Sequence, residues 1–235
     1  TTNGAGFWIK EDAKVRISDL TLEGSDATGQ EDGAAWMGIG TYDQNKTVEL
    51  EMENCTVEGF HYGFYFGAGD GTKESSKTVC DFMSVAIRNC VAKGFYAENL
   101  TDSVFDGCNL IQNGAKETGD MTEETKEGLS GMELNLKYGD YENITFYDCS
   151  WVQNGKNDGG ALVLTARDDG AYGNNPASLQ DVFLYGNIFG NNNKDLVLGK
   201  AGKENKTPVQ VWIDDVEVTG SIGSGPVRVE DNRAK

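Results

Sequence analysis

Tyr65 and Tyr96 hold matching places in two short alternating runs, Phe64-Tyr65-Phe66 and Phe95-Tyr96-Ala97, and Glu98 follows the second run directly. In a strand successive side chains leave on opposite faces, so if Phe64, Phe66 and Ala97 point inward, the tyrosines and Glu98 point outward. The same alternation through 132–136 and 161–164 sends Glu133, Asn135, Lys137, Val163, Thr165 and Arg167 to that outer face, with Asp168 and Asp169 just beyond. Aromatic faces flanked by carboxylates, an amide and two cations match the needs of a sugar ring. Its C–H face packs on an aromatic ring, and its hydroxyls require fixed polar partners. Glu98 with Glu133, or Asp168 with Asp169, also meets the minimum of two carboxylates for glycoside hydrolysis, although neighbours in one loop rarely face each other as acid and base. His61, the single histidine, lies in GFHYG beside the tyrosines, placed for a sugar contact or for a plain corner hydrogen bond.

A repeated phrase must position these residues. VRISDLTLEG at 15–24, LEMENCTVEG at 50–59, VAIRNCVAKG at 85–94 and VWIDDVEVTG at 211–220 align without a gap, and looser copies occur at 104–108, 144–149 and 183–187. Each alternates up to Asp, Asn or Gly and then alternates again, which reads as strand, sharp corner, strand, because those residue types tolerate a left-handed backbone. The position after the corner holds Leu20, Cys55, Cys90, Cys108, Cys149, Asn187 and Val216, a column of small inward residues in which cysteine acts as a small hydrophobe. Cys80 falls outside that column, in a loop by this reading. A third strand follows each phrase: 7–9, 36–39, 64–66, 95–97, 132–136, 161–164, 196–198 and 227–229. The expectation is an all-β solenoid of about seven coils, with three short strands per coil and long loop excursions.

Three strands per coil, Asn, Asp or Gly at the tight corner, and stacked identical side chains inside resemble the right-handed parallel β-helix of the pectate-lyase-like superfamily. The resemblance spans essentially the whole chain and implies that the outer strand face and its loops hold a polysaccharide groove. It also implies a lyase chemistry in which Lys137 or Arg167 would be the base. Glu98, Glu133, Asp140, Asp168 and Asp169 would then be oxygen ligands for a Ca2+ ion, although no cofactor is required for binding alone. The hydrolases of that scaffold carry several aspartates, a Gly-His-Gly and an Arg-x-Lys segment. This chain has Asp168-Asp169 but neither of the other two signatures.

Composition sets the remaining bounds. One domain is expected over residues 1–235, cut from a longer protein, because 4–9 already reads as a third strand in mid-coil. A net charge of -18 argues against nucleic acid and anionic membranes. The five cysteines lack paired spacing and accompanying histidines, which argues against zinc and redox sites. No apolar run approaches the roughly 20 residues of a membrane span. Loop excursions fall at 25–35, 67–81, 115–130, 167–178 and 199–207, and the acidic 115–130 segment could fold as a short helix. The leading reading is therefore an extracellular or bacterial cell-surface module that recognises polysaccharide. A polysaccharide lyase or hydrolase, and a structural stalk or adhesin segment that binds protein, are the alternatives. As outward residues, Tyr65 and Tyr96 would be dispensable for folding.

Overall fold

Three kinds of strand recur along the chain, and each kind builds its own parallel sheet. In the computed structural model residues 4–24, 36–42, 46–69, 76–117, 121–167, 176–199 and 209–223 are described. Sheet I contains, in spatial order, Ala5–Trp8, Met37–Tyr42, Tyr62–Phe66, Lys93–Ala97, Gly128–Leu136, Leu162–Ala166 and Lys194–Leu198. Sheet II contains Ala13–Ser18, Val48–Glu53, Thr78–Met83, Ser103–Asp106, Ile144–Tyr147, Val182–Tyr185 and Val211–Ile213. Sheet III contains Thr21–Glu23, Thr56–Glu58, Ala86–Arg88, Asn109–Ile111, Ser150–Val152 and Ile188–Gly190. The chain passes through I, II and III in turn, so neighbours within a sheet are one circuit apart in sequence. The fold is all-β with mostly parallel pairing; the helix Glu123–Glu127 is short and capped by Thr122, whose hydroxyl accepts the Thr125 N–H.

The sequence dictates this through inward files of apolar residues. In sheet II, Phe82, Phe105 and Phe146 are fully buried, and Phe105 and Phe146 stack with centroids 4.9 Å apart. They meet Phe64, Phe95, Leu134 and Leu164 from sheet I and Ile87, Leu110 and Trp151 from sheet III in one core. Between sheets II and III the backbone turns through left-handed residues: Asp19, Asn54, Ser84, Gly107, Asp148 and Gly186. After sheet III a second left-handed position recurs at Gly59, Asn89, Gln112, Gln153 and Asn191.

Polar groups inside this second corner are satisfied by a ladder of asparagines. The side-chain oxygens of Asn113, Asn154 and Asn192 accept the backbone N–H of Cys90, Asn113 and Asn154 at 3.1, 3.0 and 2.9 Å. Their amide nitrogens donate to the carbonyls of Ile87, Leu110 and Trp151 at 2.8, 2.7 and 2.8 Å. A buried amide with all its partners made costs little, whereas one left open costs its full desolvation.

The cysteine column differs from its sequence reading. Register places Val85, not Cys90, beside Cys55, because the corner of that circuit falls on Ser84 with φ 55°. Cys90 belongs to the next corner, in a file with Phe60 and the ladder asparagines. Cys80 lies in strand Thr78–Met83, fully buried opposite Leu50, and is not in a loop. Two left-handed corners five residues apart, at Ser84 and Asn89, made the wrong one look like its neighbours. The phrase at 211–220 also departs: Val216–Val218 turns back antiparallel on Val211–Ile213, and Val216 is exposed. The expected strand at 227–229 lies outside the described residues.

Sheet I is entered through a file of glycines, Gly38, Gly63, Gly94 and Gly131. A Cβ on Gly94 would lie 2.6 Å from the Gly131 carbonyl oxygen and 2.8 Å from Asn113 Cγ. Replacing Gly94 by Ala is therefore expected to cost roughly 1–3 kcal/mol, read as a lower urea midpoint; an unchanged midpoint would refute the close approach. A second test uses pH. Burial pushes the Cys90 thiol up to about 12, whereas an unfolded thiol titrates near about 8.5. Between these values the unfolded chain binds fewer protons than the folded one, so stability falls as pH rises. The fall in urea midpoint from pH 8.5 toward pH 11 should be shallower in Cys90→Val, and equal slopes would contradict the buried thiol.

Candidate functional site

Parallel register carries the candidate residues into one file on the outer face of sheet I. Tyr65 pairs with Tyr96, Tyr96 with Glu133, Glu133 with Val163 and Val163 with Val197. Asn135 pairs with Thr165 one step along. The alternation read from sequence is thus the alternation found.

Exposure is where the expectation fails. Tyr96 is 9% exposed, Glu98 4%, Glu133 2%, and Asn135, Thr165 and Arg167 are equally buried. Segments carried by the sheet fold over this face: Ala68 donates its N–H to Glu98 Oε2 at 3.0 Å, and Ser76 bonds back to Ala68. Leu129 and Met121 form a small second core with Ala92, against which Tyr62 packs. The charged 115–130 excursion does contain a helix, Glu123–Glu127, with apolar residues on either side of it turned inward.

Beneath this cover the polar groups satisfy one another in a chain. Arg167 Nη1 donates to Asn135 Oδ1 at 3.4 Å, Asn135 Nδ2 to Tyr96 Oη at 2.9 Å, and Tyr96 Oη to Glu98 Oε1 at 2.7 Å. Lys137 Nζ closes the chain as an ion pair on the same Glu98 oxygen. Burial, reinforced by Glu98, pushes the Tyr96 phenol well above its usual range, so Tyr96 stays a neutral donor. Glu133 pairs separately with Lys93 at 3.1 Å, and the Lys93 ammonium lies 5.9 and 5.8 Å from the Tyr62 and Tyr96 ring centroids. A paired buried charge is tolerable where a single one is not, which explains why Lys137 lies on Glu98 and Lys93 on Glu133.

The sequence-predicted candidates therefore separate into groups. Lys137, Glu98, Asn135, Tyr96 and Arg167 are joined in one network. Glu133 belongs to a neighbouring pair. His61 is buried, its ring edge-on to Tyr62 at 4.7 Å, so it packs under the face instead of presenting a sugar contact. Asp168 and Asp169 lie outside the described residues. No group of three or more His, Cys, Asp or Glu able to hold a metal ion assembles among the described residues, so the calcium ligand set drawn from Glu98, Glu133 and Asp140 does not come together.

Three residues join the face that alternation alone did not nominate: Trp36, Tyr62 and Lys93. The Trp36 ring lies 5.3 Å from Tyr62 and 5.0 Å from Tyr65, Tyr62 lies 5.1 Å from Tyr65, and Tyr65 lies 4.9 Å from Tyr96. Tyr62 and Tyr65 keep part of their surface in solvent. The available signal was the glycine file, since Tyr62 and Lys93 each directly precede one of its glycines. Toward the other end of the face a cavity of about 110 Å³ opens beside Ser130, Glu133, Asp158, Val163, Lys194 and Val197. Comparison with protein families, with curated proteins and with solved structures returned no match.

The buried chain makes Tyr96 and Glu98 structural, contrary to the expected dispensability of Tyr96. Tyr96→Phe strands the Asn135 donor and should cost about 1–3 kcal/mol. Glu98→Ala removes the buried carboxylate that holds Lys137, Tyr96 and the Ala68 N–H and should cost about 3–5 kcal/mol. Tyr65→Ala, at a side chain partly in solvent, should cost clearly less than either. Urea denaturation of the three variants checks this order, and equal losses would overturn it.

Proposed function

We propose that the three sheets are the faces of a right-handed parallel β-helix of the pectate-lyase-like kind. On this reading the chain is an extracellular or cell-surface module that binds polysaccharide without cleaving it. The return of successive strands to the same sheet, one circuit later, supports the helix of strands, and right-handed crossovers are the rule for parallel connections.

The observation that carries the binding reading is the contrast along sheet I. Trp36, Tyr62 and Tyr65 form a cluster with ring centroids 5.0 to 5.3 Å apart, of which Tyr62 and Tyr65 remain partly open. Among the described residues, the candidates for base, acid or nucleophile of a lyase or hydrolase are already bound to other side chains: Lys137 to Glu98, Glu133 to Lys93, Arg167 to Asn135. An aromatic cluster beside a rigid polar network offers the apolar and fixed hydrogen-bonding surfaces that a sugar ring needs. The cavity beside Glu133, Asp158 and Lys194 favours the enzymatic alternative, because it brings carboxylates and an amine to one opening.

One experiment separates these readings. The purified chain is passed over immobilised neutral and uronic polysaccharides while unsaturated products and new reducing ends are followed with and without Ca2+. Retention without products is expected, and retention should fall about tenfold in Tyr62→Ala/Tyr65→Ala. Products that disappear in Glu133→Gln would replace the binding reading with the enzymatic one. Absence of both retention and products would favour a structural or protein-binding segment.

A further inference from the structure

The outer face of sheet II carries a second aromatic array, and it is open. Inward residues of its strands, Phe105, Phe146 and Leu184, are fully buried, which turns Val104, Tyr147, Phe183 and Tyr185 outward. Tyr147 is 42% exposed and stacks on Tyr185 with centroids 5.5 Å apart and planes 17° from parallel. Phe183 and Tyr185, two residues apart on one strand, have centroids 6.0 Å apart and planes 6° from parallel. Trp212 is next to Phe183 in register on the following strand and is partly exposed. Register puts Tyr147 beside Tyr185 in one file and Phe183 beside Trp212 in the next, and these outward rings leave an apolar surface in water that no described segment covers.

The charge around these rings has one sign. The strands Thr78–Met83, Ser103–Asp106, Ile144–Tyr147, Val182–Tyr185 and Val211–Ile213 contain no Lys, Arg or His. Asp81 and Asp106 lie on the outer face, with Asp148, Asp214 and Asp215 at the corners, and the Tyr185 hydroxyl donates to Asp215 Oδ1 at 3.2 Å. The same face continues into a shallow depression of about 350 Å³ lined by Glu51, Glu53, Asp81, Met83 and Arg16, whose cation is already paired with Glu51. Carboxylates beside exposed rings attract a cation twice, by charge and through the ring faces.

We propose that this face binds a cationic glycan, a polymer of pyranose units bearing free amino groups. Ring C–H faces pack on the Tyr147–Tyr185 pair and on the Phe183–Trp212 pair, and the ammonium groups pair with Asp106, which is in register with Tyr147, and with Asp215. A polymer that runs across the strands meets equivalent positions every ~4.8 Å, close to the length of one pyranose unit. Same-face side chains of an extended basic peptide recur only every ~6.7 Å. This favours the glycan over a peptide as occupant. The proposal stands apart from the sheet I reading, with which it shares no residue.

The test titrates the whole chain with a glucosamine hexamer, its fully N-acetylated counterpart and hexalysine, read by calorimetry and tryptophan fluorescence. The glucosamine hexamer is expected to bind at least about tenfold more tightly than either control, and more weakly as salt rises. Tyr147→Ala/Phe183→Ala should lose about tenfold or more in affinity with its melting temperature nearly unchanged. Asp106→Asn, which keeps shape, should lose affinity for the hexamer and flatten the salt dependence. Several results would overturn the proposal: binding unaffected by these variants, tighter binding of hexalysine, or no binding by any probe. Sedimentation showing self-association that Tyr147→Ala/Phe183→Ala abolishes would instead assign the face to a second copy of the chain. Retention on neutral and uronic polymers is measured separately, so failure here leaves the sheet I reading intact.

Discussion

In-register parallel hydrogen bonding is the constraint from which the rest of this structure follows. When each strand bonds to the strand one circuit later without slipping, every residue lies on its counterpart, and a preference at one position becomes a file running through the molecule. Phe82, Phe105 and Phe146 form such a file, as do Gly38, Gly63, Gly94 and Gly131, and Asn113, Asn154 and Asn192. A slip of one residue would send the phenylalanines into water and bury Asp81, Asp106 and Tyr147 in their place. The asparagine ladder resists that slip, because its side chains bond to the backbone of the circuit before as well as to each other.

The same stacking gives sheets I and II opposite surface chemistry. On sheet I it brings cations of one strand within reach of carboxylates on the next, and Ala68 closes over Glu98, so the charges pair and lock. On sheet II beyond its first two strands it aligns aromatic rings with carboxylates and supplies no cations among the described strands, so nothing inside the sheet neutralises the face. A network with all its partners made holds a surface still. A surface whose charge is all of one sign is complementary to something outside the chain. Both readings of function rest on that difference.

The alternation within each strand was legible in sequence because it is a local property. The inward files at Phe64, Phe66, Leu134, Leu162 and Leu164, and the outward file at Tyr65, Tyr96 and Glu133, follow from period-two patterning alone. So do the corners at Asp19, Asn54, Gly107, Asp148 and Gly186, where residue type announces a left-handed backbone. Ser84 announces it weakly, and the circuit containing Cys80 and Cys90 was therefore displaced by five residues.

What the sequence could not carry was what lies on top of each face. Alternation distinguishes inside from outside, but whether an outward residue meets water depends on segments far away in the chain. Tyr96 and Tyr147 are both outward tyrosines on parallel strands. One is buried and bonded to Glu98 and Asn135, and the other stands open beside Tyr185. The reversal at Asp214 and Asp215 is of the same kind: VWIDDVEVTG matches the other phrases, yet Val216–Val218 folds back on Val211–Ile213. Sequence thus determined the period, the inward files and most of the corners, because neighbouring residues fix backbone conformation and face. Tertiary structure decided which outer face is buried, which cysteines share a file and where the parallel stacking stops, because those depend on contacts between circuits and not on residues within one.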